Sequence, residues 1–162
     1  MGLAYRVLDA CGSLAKETWK GNYPENGAVV NDLLLEVHPT VVGDFRQLPF
    51  ADDSFDTIFF DPPHLIRNDV KNWNPMYLRY GNWKNRKEWI GALEKANLEF
   101  SRVLVPGGTL WTKTIDGKDY RVTKRQDLEA FTNFILIEEH EAPVKIPWST
   151  NTTIYRKYTR CQ

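Results

Sequence analysis

Four short apolar runs in the first 61 residues each finish on an aspartate or within a residue of one. They are AYRVLDA (Ala4 to Ala10), GAVVND (Gly27 to Asp32), PTVVGDF (Pro39 to Phe45) and FDTIFFD (Phe55 to Asp61). Brief runs rich in Val, Ile and Phe read as buried strands, and an acid at the end of each marks where the chain leaves the interior. In an open α/β sheet ligands bind beyond the carboxyl ends of the strands. Asp9, Asp32, Asp44 and Asp61 are all expected at that rim.

The remainder of the chain alternates in a way that fits such a sheet. Cys11-Gly12-Ser13 reads as a turn before a short helical stretch, Leu14 to Lys20, capped by Gly21. A second helix is expected from about Arg86 to Leu104, with Trp89, Ile90, Leu93, Ala96, Leu98, Phe100 and Val103 at helical spacing, ended by Pro106-Gly107-Gly108. TLWTKTI reads as a fifth strand, TKRQDLEAFTNF as a further helix, and FILIEEHEA with TTIYRKYT as two closing strands. The expectation is an α/β, Rossmann-like fold: a mostly parallel sheet with an antiparallel C-terminal hairpin at one edge and helices on both faces. With 162 residues and no linker or repeat, a single domain over 1–162 is expected, without a separate target-recognition domain.

Composition excludes several classes. Cys11 and Cys161 stand at opposite ends without CxxC spacing, so neither a disulfide framework nor a metal site is expected. No apolar run reaches membrane-spanning length and no export signal is present, so a soluble, cytoplasmic protein without a membrane partner is expected. The net charge of zero hides an asymmetry: residues 1–64 hold four bases against ten acids, a net of −6, and the rest hold 17 against 11, a net of +6.

Acids spaced along one rim suit the hydroxyls and amines of a nucleoside. Asp32 follows Asp9 by 23 residues, close to the offset of about 20 at which an acid meets a ribose hydroxyl. LDACGS has one glycine where a pyrophosphate loop wants three, which disfavours a nicotinamide dinucleotide. S-adenosylmethionine carries no phosphate and brings an ammonium and a sulfonium, so it fits better.

In order, VLDACGS, Asp32, GDFRQLPFADDSFD, FFDPPHL and RVLVPGGTL resemble the class I S-adenosylmethionine-dependent methyltransferases, over about Val7 to Leu110. DPPH is similar to the DPP-aromatic signature of those that modify amino groups, closest to small stand-alone DNA methylase-like proteins. The resemblance implies a Rossmann-like methyltransferase fold with S-adenosylmethionine as cofactor. Asp9, Cys11 and Gly12 would lie beside its methionine part, Asp32 would take the ribose hydroxyls, Asp44 the adenine amine, and Phe45 would cover the ring. It also implies that the target is an exocyclic amine, adenine N6 in DNA before cytosine or RNA.

Such an amine is a poor nucleophile because its lone pair is delocalised into the ring. Two acceptors, the Asp61 carboxylate and the Pro62 carbonyl, would each take one N–H and favour the pyramidal form. His64 stands where the family has Tyr, Phe or Trp, and would stack on an extruded base. Residues 65–85 form a substrate or lid loop, in which Lys71, Arg79 and Lys84 would meet phosphates and Trp73, Tyr77, Tyr80 and Trp83 would stack on bases. An RNA base, a protein glutamine amide, or a catalytically silent nucleic-acid-binding partner of another methyltransferase are the alternatives. Without a recognition domain, specificity would come from a homodimer mate or a recognition partner.

Overall fold

In the computed structural model, which describes residues 6–12, 19, 23–24, 27–67, 81–119, 121–144 and 149–162, the four acid-ended runs are strands. They are β1 (Val7–Asp9), β2 (Ala28–Asp32), β3 (Val41–Val42) and β4 (Phe55–Phe60). Helix α1 (Arg86–Val103) follows, then β5 (Leu104–Asp116), β6 (Phe134–Pro143) and β7 (Thr152–Arg160). Among the described residues these seven strands make one sheet in the order β3-β2-β1-β4-β5-β7-β6.

β1 to β5 are mutually parallel, while β7 pairs antiparallel with both β5 and β6. The closing strands therefore do form an antiparallel pair, but β7 slots inside the sheet and β6 becomes the edge. β6 runs in the same sense as β1 to β5, and β7 alone is reversed. The strand order turns back between β1 and β4, which places the crevice of the sheet between the carboxyl ends of those two strands.

β4 is the central strand and is covered on both faces, which is why FDTIFF lacks clean alternation. Ile58 and Phe60 belong to the main core with Trp89, Leu93, Phe100 and Leu110, whereas Phe59 packs on the other face with Val7 and Trp19. α1 begins where the Asn85 side chain accepts from the Glu88 amide at 2.9 Å. Its buried stripe is Trp89, Ala92, Leu93, Ala96, Phe100 and Val103; Leu98 falls off it and is exposed.

Two expected boundaries shift. The helix ends at Val103 and the chain enters β5 at once, so Pro106-Gly107-Gly108 is a bulge within a strand: the pairing steps from Phe55 with Leu104 to Thr57 with Thr109. TKRQDLEAFTNF contains only a 3-10 turn, Arg125–Ala130. Its apolar residues Leu128, Phe131 and Phe134 are three apart, the 3-10 repeat, and all are buried. Buried Asp127 holds the turn, accepting from the Lys124 amide at 2.7 Å and from Trp89 Nε1 at 2.9 Å. The expected helix Leu14 to Lys20 lies outside the described residues except for Trp19, so α1 is the α-helix described, packed on one face. On the other, Trp19 and Tyr23 cover Phe59. Among the described residues no helix is long and apolar enough to cross a membrane.

Candidate active site

The loops that leave β1, β2 and β3 are tied to one another at the rim. Asn31, buried in β2, donates to the carbonyls of Ala10 at 3.2 Å and Gly43 at 3.0 Å. The Gly12 amide donates to Asn31 O at 2.9 Å, and a Cβ on Gly12 would stand 2.1 Å from Val30 Cγ1. One glycine in LDACGS is thus required by the close approach of this loop to β2.

The four carboxylates converge on that loop. The Cys11 thiol is pushed well up by its burial first and then by the charges of Asp9, Asp32, Asp61 and Asp44. A half-buried thiol held up in this way carries little thiolate at neutral pH. Asp9 itself is almost fully buried and accepts from Tyr23 Oη at 3.0 Å and from the Cys11 amide at 3.3 Å. Burial raises its carboxyl to about 7 against the lowering effect of those two bonds, with Asp61 and Asp32 adding to the rise. Asp32 accepts from the Leu34 amide at 2.8 Å through Oδ1, and no partner meets Oδ2 among the described residues.

Asp44 is engaged: Arg46 grips it through Nε, at 2.9 Å to both oxygens, and through a terminal nitrogen at 2.5 Å. That pairing holds the carboxyl below its usual value. Phe45, expected over an adenine ring, is a core residue. Its ring meets Phe60, Phe100 and Trp83, because the chain turns inward after β3 and aromatic area is gained by burial there. The exposed apolar side chain beside Asp32 is Leu33, at 61% exposure.

Asp61 follows β4 directly, at the same rim as Asp9 of the neighbouring β1. His64 Nε2 lies 3.0 Å from its Oδ1, and Lys113 Nζ from β5 lies 2.6 Å from its Oδ2. Burial alone would raise this carboxyl, but the bond and charge of His64 and the charge and bond of Lys113 outweigh it and hold it down. The His64 ring is thereby folded back onto the turn, with Nδ1 buried and without a hydrogen-bond partner among the described residues. A ring so held is not turned outward to stack.

The turn is clamped from behind. Trp83 Nε1 donates to the Pro63 carbonyl at 2.8 Å, Ile66 bridges to Trp83, and the Thr123 amide donates to His64 O at 3.0 Å. Trp83 is therefore a buried locking residue packed on Trp89, and not a stacking platform on the surface. The Pro62 carbonyl meets no donor among the described residues. Lys84 is exposed, its amide bonded to Glu88 Oε2 at 2.7 Å. Lys71, Trp73, Tyr77, Arg79 and Tyr80 lie outside the described residues.

Solved structures with this architecture cover nearly the whole chain. N-methyltransferase NodS from Bradyrhizobium japonicum, in complex with S-adenosylhomocysteine, is 12% identical with a TM-score of 0.63, over 98% of this chain and 79% of that one. A S-adenosylmethionine-dependent methyltransferase from Methanosarcina mazei is 11% identical with a TM-score of 0.61, over 96% and 92%. The chain has the Rossmann-like methyltransferase fold. The [4+2]-cyclase SpnF also matches, with 11% identity and a TM-score of 0.63 over 97% of this chain and 74% of that one, so the fold does not dictate the reaction. No protein-family model matches the chain, and no curated protein matches it.

Several residues of this site escaped the sequence reading. Asn31 and Lys113 had a faint signal, each a polar residue inside an apolar strand. Arg46 and Tyr23 had none, since their contacts depend on how the loops fold back.

Proposed function

We propose that the protein binds S-adenosylmethionine at the rim between β1 and β4 and methylates an exocyclic amine of a nucleobase, adenine N6 in DNA. The observation that carries this reading is the row of four carboxylates at the carboxyl ends of the neighbouring parallel strands β3, β2, β1 and β4, at the switch point of a methyltransferase fold. Carboxylate oxygens so placed suit the hydroxyls and amines of a nucleoside, and the single glycine of LDACGS offers a pyrophosphate no cradle. The bound cofactor supplies an electrophilic methyl group.

The residues of the chain divide the remaining tasks. Asp32 Oδ2 is free among the described residues to accept from ribose hydroxyls. Leu33 offers the apolar cover for adenine that Phe45 does not. Asp9, whose oxygens are engaged within the protein, holds Tyr23 and the Cys11 amide in place beside the methionine part of the cofactor. Asp44 meets the adenine amine once Arg46 lets go of it. The Asp61 carboxylate and the Pro62 carbonyl accept the two N–H bonds of the target amine and orient its lone pair. His64 holds Asp61 in place. Lys71, Arg79 and Lys84 contact the polymer at phosphates, and Trp73, Tyr77 and Tyr80 stack on its bases.

The test is incubation with isotopically labelled S-adenosylmethionine and either duplex DNA, single-stranded DNA or RNA, followed by nucleoside mass spectrometry. Labelled N6-methyladenine from DNA, absent with Asp61→Ala, is expected. Label in RNA or in cytosine would redirect the substrate. A second reading, a nucleic-acid-binding partner that transfers no methyl group, is favoured by one observation: Arg46 occupies both oxygens of Asp44. Failure to bind the cofactor would decide for it.

A further inference from the structure

The Asp61 carboxylate has two partners, and one of them comes from outside the turn that carries it. The register of the sheet explains the meeting. Phe60 of β4 pairs with Thr112 of β5, so the next step along both strands brings Asp61 beside Lys113. Lys113 in turn pairs with Tyr155 of β7. Two residues back, on the same face, Phe59 and Trp111 stack with their planes 7° apart.

The Lys113 side chain is only 15% exposed. A largely buried ion pair is weak evidence for stability, because apolar residues of similar size often serve as well or better. Its place at the rim of the crevice asks for another role. We infer that Lys113 is a positioning residue for methyl transfer: bonded to Oδ2, it fixes the carboxylate plane and keeps Asp61 an anion, so that Asp61 accepts a hydrogen bond from the amine without taking its proton.

This rests on the reading of Asp61 as the group that meets the amine. In the step, the nitrogen lone pair forms the N–C bond and the C–S bond breaks with its electron pair going to sulfur. The proton then leaves nitrogen for water. Asp61 remains a counter-charge throughout. The groups that act on it are His64 from its own turn, Lys113 from β5, Asp9 from β1, Cys11 from the loop after β1 and Tyr155 from β7. Of the two groups that bond to its oxygens, Lys113 is the one that reaches it from another strand. With Lys113 removed, His64 alone is left against burial and the carboxyl rises; whatever fraction is protonated donates toward nitrogen and competes for the lone pair.

Lys113→Met and Lys113→Arg in the full chain test this. Three quantities are measured: S-adenosylhomocysteine affinity by calorimetry, the Asp61 carboxyl titration by carbon NMR, and single-turnover transfer against pH. The Met variant is expected to bind S-adenosylhomocysteine normally and to titrate Asp61 at higher pH. Its transfer should fall on the order of ten- to a hundred-fold, most at the acid end of the profile, and recover as pH rises. The Arg variant should restore the titration and most of the rate. A Met variant that titrates Asp61 like the wild type overturns the inference, as does a pH-independent loss that Arg does not rescue, which is what a structural pair would give. A wild type that binds S-adenosylhomocysteine yet methylates no polymer overturns the reading beneath it, and the carboxyl titration tells the two failures apart.

Discussion

Asp9→Asn should make the protein more stable at neutral pH, by less at pH 5, and leave it nearly unchanged at about pH 4 and below. Asparagine copies the protonated carboxyl: Oδ1 can accept from the Cys11 amide, and the amide can donate to Tyr23 Oη, the two groups that Asp9 now meets. Burial raises the Asp9 carboxyl from 3.8 to about 7. Between these values the folded state holds a proton that the unfolded state has lost, so stability falls as pH rises through the window and levels off above it. The full span corresponds to about 4 kcal/mol, of which about 3 kcal/mol lies between pH 5 and pH 8. Asp9→Asn lacks that term, and other carboxyls cancel in the comparison. Urea denaturation of both proteins at pH 5, 6, 7 and 8 measures it. A stability difference that stays constant across the series would refute the claim that Asp9 is held protonated by burial.

Three other outcomes follow from the site. Gly12→Ala should cost about 1–3 kcal/mol through overpacking against Val30, and Val30→Ala in the same chain should return part of the loss; equal and additive losses would contradict the contact. Asp61→Ala should lower the melting temperature by stranding Lys113, keep S-adenosylhomocysteine affinity near wild type below that temperature, and lower transfer by about two to three orders of magnitude; undiminished transfer would reduce DPPH to a turn. Replacing Lys71, Arg79 and Lys84 together by Ala should weaken nucleic-acid binding and flatten its salt dependence without touching cofactor affinity, and an unaltered salt slope would show that 65–85 does not meet phosphates.

The architecture was legible because strand grammar is local. VLD, VVND, VVGD and DTIFFD each carry their own signal of an apolar run and a terminal acid, and α1 shows its stripe from Trp89 to Val103. What was lost depends on distant pairings. Nothing in TTIYRKYT says that it will enter between β5 and β6, and nothing in TKRQDLEAFTNF shows that Asp127 will cap its own 3-10 turn and bond to Trp89. The rim acids were readable as a set, since four ends of parallel strands must share one edge. Their individual states were not: Arg46 on Asp44, Lys113 on Asp61 and Tyr23 on Asp9 arise from loops and neighbouring strands. Phe45 and Trp83 were misplaced for one shared reason. An aromatic near a site is equally suited to stack on a ligand or to fill the core, and only packing decides.

The central claim, a S-adenosylmethionine site at the carboxyl rim, is tested most directly by titrating S-adenosylhomocysteine into the protein and its Asp32→Ala variant in a calorimeter. Saturable binding to the wild type is predicted, weakened by one or more orders of magnitude in the variant, since each hydrogen bond to a charged group contributes about 1.5–3 kcal/mol. No binding to the wild type at high ligand concentration, with an unchanged melting temperature, would contradict the claim.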